Sequence, residues 1–247
     1  GYIRFGFFIL SPDEFSALGK LVAAGIGFVT NLVLWSEAGY FDAATETKPL
    51  LHLWSLGIEE QFYIIWPLLL IFAWKRKISL LIVTMIVLFI SFSFNIFNIK
   101  TDPIATFYSP LTRIWELLFG SVLAWIMVFK KDAFANFYFK INKQLSRYKP
   151  FNNAEERNIF ANILSILGIV LFIIGFVEIT KESFFPGYWA LVPVLGTVVI
   201  IMAGPEAWIN KKILSNKFAV WFGLISFPLY LWHWPILSYG RIYYDKV

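Results

Sequence analysis

The stretch Pro49–Lys77, PLLHLWSLGIEEQFYIIWPLLLIFAWKRK, decides how the rest of the chain is read. Leu56 to Trp74 is apolar and aromatic for long enough to cross ~30 Å of hydrocarbon as a helix, yet Glu59, Glu60 and Gln61 sit together near its start. A helix here puts His52, Ser55, Glu59, Tyr63 and Trp66 on one stripe, because residues three and four apart share a face. His52 and Glu59 are then ~10 Å apart along the axis, too far to bond each other but suited to flanking a bound group. Glu60 points ~100° away from Glu59, so the two acids address different neighbours rather than share a proton. Two readings stand for them: wetted groups at headgroup level among the interfacial anchors Trp54, Trp66 and Trp74, or intramembrane ionisable residues kept for function.

Composition carries this reading to the whole chain. Of 247 residues, 59% are hydrophobic and 15% charged, which excludes a soluble domain and points to an all-α, polytopic transmembrane bundle. About six to eight membrane-embedded helices are expected. With no Cys there is no disulfide, thiolate nucleophile or cysteine metal site, and with two His no metal site is expected. The net charge of +5 is unevenly spread and reports topology; nothing in the pattern points to nucleic acid. The opening GYIRFGFFIL is too short for a span and the closing GRIYYDKV is abrupt, so both ends read as cut from a longer protein.

Working outward, Ser11-Pro12-Asp13-Glu14 is a helix start. The apolar run Phe15 to Trp35 is interrupted by Gly19, Lys20, Gly25, Gly27 and Asn31 and followed by the acids Glu37, Asp42 and Glu46. Lys75, Arg76 and Lys77 mark a cytoplasmic end. Spans follow at Leu80–Phe97, Pro110–Phe129, Ile159–Val177, Trp189–Met202 and Phe218 to about Tyr239, the last carrying Pro228 and Pro235, which imply kinks. The Lys130–Arg157 loop holds Lys130, Lys131, Lys140, Lys143, Arg147, Lys149 and Arg157 against Asp132, Glu155 and Glu156, so it is cytoplasmic, with an amphipathic piece around Phe134, Phe137, Tyr138 and Phe139. Lys211, Lys212 and Lys217 mark another cytoplasmic loop, and Glu178, Lys181, Glu182 and Pro186 an outer turn. Six spans from the Glu59 helix onward satisfy this rule and put the His52 end outside. Both flanks of Phe15–Trp35 are then external, so that run is expected to be re-entrant or interfacial.

Three polar groups recur at helix ends: His52 with Glu59 and Glu60, Arg113 with Glu116, and Ser226 with Tyr230 and His233. Arg113 and Glu116, three residues apart, either neutralise each other or, unpaired, leave Arg113 for a phosphate or a developing oxyanion. His233 lies between Trp232 and Trp234, either as a belt residue or as a functional one. No P-loop, GxSxG or HExxH motif is present.

In sequence order, LLHLWSLGIEEQFYIIWPLLL, FYSPLTRIWELLFGSVLA and LISFPLYLWHWPIL closely resemble the acyltransferase 3 family of integral membrane acyltransferases, over nearly the whole chain. The resemblance implies that residues 1–247 are part of such a membrane domain in a bacterial inner membrane. It implies O-acylation, usually O-acetylation, of envelope carbohydrate such as lipopolysaccharide, peptidoglycan or exopolysaccharide, with acyl-CoA, typically acetyl-CoA, as donor and no bound cofactor. Partners are then membrane lipid, a carbohydrate acceptor and acyl-CoA. The family's proposed catalytic His lies in a first helix, eleven residues after a basic residue. Phe41 and Phe222 stand eleven before His52 and His233, so neither matches it, and the fragment alone is expected to be inactive. A C-terminal SGNH-type domain, which some members carry outside, is also expected to be missing. Candidate catalytic residues are Glu59, Glu60, His52 and His233; candidate substrate-binding residues are Arg113, Glu116, Tyr63, Ser226 and Tyr230. Competing readings are a transporter or lipid-linked-sugar flippase, and a non-catalytic membrane sensor.

Overall fold

A computed structural model describes residues 2–38, 47–146, 158–180 and 182–245. Phe41, Asp42, Glu46, Arg147, Lys149, Glu155, Glu156, Arg157 and Lys181, named above, lie outside the described residues. Every regular element among the described residues is helical: α1 (Tyr2–Ile9), α2 (Pro12–Ile26), α3 (Thr30–Glu37), α4 (Leu53–Lys75), α5 (Leu80–Asn98), α6 (Pro103–Tyr108), α7 (Pro110–Phe129), α8 (Lys131–Ser146), α9 (Ile159–Glu178), α10 (Leu191–Ala203) and α11 (Lys217–Asp245), with a π-helical turn at Asn210–Leu214. Five helical stretches are long and apolar enough to cross a membrane: α4, α5, α6 with α7, α9 and α11. The protein is an integral membrane helix bundle.

Bilayer lipid is as apolar as leucine, so close packing and interhelical bonds rather than burial from water hold such a bundle. The core joins α4, α5 and α7 through Phe62, Trp66, Leu88, Trp115 and Leu118, with Ala190 closing one end. Phe62 and Trp66 stack at 5.6 Å between ring centroids, and the fully buried Trp115 meets Phe92 edge-on at 4.9 Å. The backbone N–H of Trp115 donates to Ser91 Oγ at 3.2 Å, tying α7 to α5.

The run Phe15–Trp35 does not form one helix. Ser11 and Glu14 close a capping box that starts α2. That helix stops at Gly27, Phe28 takes φ +57°, and α3 begins at Thr30. Neither piece spans the hydrocarbon, since 15 residues rise only ~22 Å. The pieces are pinned at their ends, where Lys20 of α2 meets Glu37 of α3 at 2.6 Å and Lys48 meets the other oxygen of Glu37 at 2.9 Å. Burial acts to raise the Glu37 carboxyl, but the two lysines outweigh it and hold it below its ordinary value.

The break itself is locked onto α4. Gln61 Nε2 donates to Phe28 O at 2.7 Å and Asn31 Oδ1 at 2.9 Å, and Asn31 Nδ2 donates to Tyr108 O at 3.1 Å. Gly57 permits this approach, because a Cβ there would stand 2.9 Å from Asn31 Oδ1.

The expected span Trp189–Met202 is found as α10, shifted to Leu191–Ala203. Residues 188–190 form turns, and α10 has 13 residues, ~20 Å long. It lies against α9 at the glycines Gly168 and Gly196, where a Cβ on either would stand 2.9 or 3.2 Å from the other's carbonyl oxygen. The amphipathic piece is α8, docked by Tyr138, whose hydroxyl reaches Met202 O at 3.2 Å and Ala203 O at 3.3 Å, while Phe137 and Phe139 stay exposed. Pro228 and Pro235 do not end α11, which is one helix of 29 residues.

Candidate functional site

The acidic end of the bundle collects the polar residues of α4 and α11. His52 is the N-cap of α4, 8% exposed, and neither ring nitrogen has a hydrogen-bond partner. Its ring stands edge-on to Tyr230 at 5.0 Å and His233 at 5.4 Å. Burial, then the neighbouring His233, push the His52 imidazole down to about 4, so it is neutral at pH 7.

Tyr230 fastens α11 to the start of α4. Its hydroxyl donates to the His52 carbonyl oxygen, and Ser55 Oγ lies 2.8 Å away. With the phenolic proton committed to the carbonyl, Ser55 is the donor to Tyr230. One turn away, Trp234 Nε1 donates to Lys48 O at 2.9 Å. His233 Nδ1 lies 2.7 Å from Tyr230 O and 3.2 Å from Leu229 O. Carbonyls only accept, so Nδ1 carries the proton and the neutral ring keeps its lone pair on Nε2.

Glu59 and Glu60 are half-buried and have no hydrogen bond or ion pair among the described residues. Glu59 is near enough to Glu60 for their charges to interact, and it lies near the Tyr230 hydroxyl.

Arg113 and Glu116 are the opposite case. The guanidinium approaches Glu116 twice, by an ion pair from Nε to Oε1 at 2.7 Å and a hydrogen bond from Nη2 to Oε2 at 3.0 Å. Its Cζ lies 5.2, 5.6 and 5.4 Å from the ring centroids of Trp54, Phe107 and Phe185, a cation–π cage built from three segments. Beyond that cage is a cavity of about 410 Å³ bordered by Phe107, Phe185, Tyr108, Glu37, Lys48 and Glu182. Lys48 and Leu51 border it too, so it adjoins the His52 turn.

The structure therefore brings His52, Tyr230 and His233 together and sets Glu59 and Glu60 further along α4, the helix that His52 caps. It does not bring in Tyr63, 56% exposed on the outer surface of α4, or Ser226, whose Oγ bonds Gly223 O of its own helix at 2.8 Å. Two residues outside the candidate set matter locally. Ser55 touches Tyr230 and was legible on the predicted stripe; Gln61 holds the α2–α3 break and had only its place beside the acids to mark it. Among the described residues no cluster of His, Cys, Asp and Glu fits a metal ion.

These features define a helical membrane protein with two imidazoles, and two carboxylates that have no partner among the described residues, gathered at one end. The acyltransferase domain family matches residues 15–247, and the chain belongs to that family. It is 34% identical over 233 residues to peptidoglycan O-acetyltransferase OatA of Listeria monocytogenes, covering 92% of this chain and 35% of that protein. It is 33% identical over 198 residues to an uncharacterized protein of Haemophilus influenzae, covering 76% of this chain and 72% of that one. The chain thus spans about a third of the length of the Listeria relative. No solved structure matches it.

Proposed function

We propose that this chain is membrane machinery for moving an acyl group, in the usual case acetyl, from acyl-CoA to a hydroxyl of a cell-envelope carbohydrate in a bacterial plasma membrane. The observation that carries this reading is the gathering of His52, Tyr230, His233, Glu59 and Glu60 at one end of the bundle, in a chain 34% identical to a protein named as a peptidoglycan O-acetyltransferase.

The chemistry has three needs: a base for the attacking hydroxyl, donors for the tetrahedral oxyanion and a path that joins donor to acceptor. As the C–O bond forms, the hydroxyl proton passes to the base; the C–S bond then breaks and the base returns that proton to the leaving sulfur, releasing the CoA thiol. The resemblance assigns the base to a His of the family's first helix, a position that neither His52 nor His233 matches. Glu59 or Glu60 orients that His and steadies its positive charge, a role that suits carboxylates with no other partner. His233 keeps a free Nε2 for a second proton-handling position, and the neutral His52 with Tyr230 fixes its place. The cavity beside Lys48 offers aromatic faces and carboxylates to an incoming sugar. Arg113 can meet a donor anion only by sharing or leaving Glu116.

The test is transfer of radiolabelled acetyl from acetyl-CoA to envelope polysaccharide in membranes holding the full-length protein. Glu59→Gln and Glu60→Gln, at normal membrane levels, should abolish labelling in at least one case. Full labelling in both would overturn the role given to the acids, and no labelling by the wild-type protein with several acceptors would favour transport or sensing.

A further inference from the structure

The basic end of the bundle carries a groove that this site does not use. A cavity of about 710 Å³ lies where the end of α4, the turn into α5 and the end of α7 meet, bordered by Trp74, Lys75, Lys77, Trp125 and Phe129. A second, of about 240 Å³, shares Leu80, Trp125 and Phe129 with the first and reaches inward to Leu70 and Trp66. The two run together as one groove. Its mouth is cationic, its middle aromatic and its depth apolar; the hydroxyl of Thr84 at the inner part is already spent on Leu80 O at 2.8 Å.

The turn at the mouth is built in an unusual way. Ile78 N–H bonds Ala73 O at 2.9 Å and Lys77 N–H bonds Trp74 O at 3.0 Å, closing α4 with a Schellman-type end. The residue this motif sets in the left-handed region is ordinarily glycine, and here it is Lys77, at φ +57°. A lysine kept where glycine would be relaxed is an outlier that points to use of its side chain, and that side chain borders the cavity.

We propose that the groove holds one anionic phospholipid, its phosphodiester between Lys75 and Lys77 and one acyl chain laid along Trp125 and Phe129 toward Leu70. The gradation from charge to aromatic ring to aliphatic side chain repeats that of a lipid from headgroup to tail. Charge complementarity selects this occupant over acyl-CoA. Two ammonium groups can each meet one of the two non-bridging oxygens of a single phosphodiester, whereas the nucleotide head of CoA carries several negative charges that two lysines leave unmatched, and the neighbouring Arg76 lies over the Phe72 ring at 5.4 Å.

The test is native mass spectrometry of the full-length protein in detergent after exposure to equal amounts of phosphatidylglycerol and phosphatidylcholine. The wild type should retain one phosphatidylglycerol with a preference of roughly tenfold to thirtyfold, the ratio two lysines near a lipid phosphate supply. Lys75→Ala with Lys77→Gly should bring the preference to near parity. Lys77→Gly alone should melt no lower than wild type, because glycine relieves the turn, and should still weaken the preference; this variant separates lost binding from lost folding. An unchanged preference in the double variant, no retained lipid, or displacement of the lipid by equimolar palmitoyl-CoA would each overturn the proposal.

Discussion

Two pairs of charged residues sit toward the His52 end of this bundle, and their surroundings differ in kind. Arg113 and Glu116 hold each other by an ion pair and a hydrogen bond, and three aromatic rings surround the guanidinium, whose buried Nη1 has no hydrogen-bond partner. Glu59 and Glu60 carry the same sign, lie on one helix and have no partner among the described residues. A neutral pair costs little to hold in a membrane and stabilises through its geometry; an unpaired like-charged pair costs more and persists where something else uses it. The first pair is therefore architecture that fixes α7 against α4 and α6. The second is the pair to which the proposed function gives a role in acyl transfer.

Four measurements sharpen or break this contrast. The largest effect belongs to Glu59→Gln or Glu60→Gln in the full-length protein, with acyl transfer falling by ~10²–10⁴-fold in at least one, the range of a lost acid–base function, while the melting temperature holds. A comparable loss of stability would move the acids to the architectural side. Next, Arg113→Ala should cost ~3–5 kcal/mol of stability by leaving Glu116 buried and unpaired, whereas Arg113→Met with Glu116→Leu should recover most of it. Failure of that recovery would give the arginine a role beyond pairing.

The third is pH dependence. His52 has its proton affinity lowered in the fold, so the unfolded chain binds the proton more readily between pH 6.5 and about 4. Stability should fall as pH drops through that window, by about 3 kcal/mol at most. His52→Gln should remove that dependence in melts run from pH 7 to pH 4. The smallest effects belong to Tyr63→Phe and Ser226→Ala, each expected within ~0.5 kcal/mol of wild type and active; loss of activity in either would extend the site along its helix.

What the sequence made legible, and what it did not, follows the reach of each signal. Helical spacing put His52, Ser55, Glu59, Tyr63 and Trp66 on one face, but it does not say which neighbour covers that face along its length. At the start of α4 the neighbour is α11, which takes Ser55 through Tyr230. Lower down the cover is α5 and α7, which bury Phe62 and Trp66 and leave Tyr63 outside. Ser226 stands apart from His52 and Tyr230 for a related reason, since the half of α11 around it is largely exposed. The meeting of His52 and His233, 181 positions apart, rests on a contact between segments that no local pattern encodes.

The broken run Phe15–Trp35 shows the converse. Its interruption was visible in Gly25, Gly27, Lys20 and Asn31, but the break falls at Phe28, a residue with no intrinsic liking for that backbone. Gln61 supplies the reason, by hydrogen-bonding the Phe28 carbonyl that the break exposes and so fastening it to α4, while Asn31 accepts from Gln61 and donates to Tyr108 O at the end of α6. Accessibility labelling offers a direct reading: residues 13 and 42 on opposite faces of the membrane would exclude the re-entrant arrangement.

The backbone contact between Gly168 and Gly196 bears on how the protein is made. With 13 residues, α10 is too short to hold itself across a bilayer, while the 20 residues of α9 can. Insertion thus has a natural order, in which α9 leaves the translocon first and α10 follows as the returning limb of a hairpin that slides in against it. A bulky residue at either glycine is expected to show itself during biogenesis, as a stalled or inverted segment, before it shows in the finished protein.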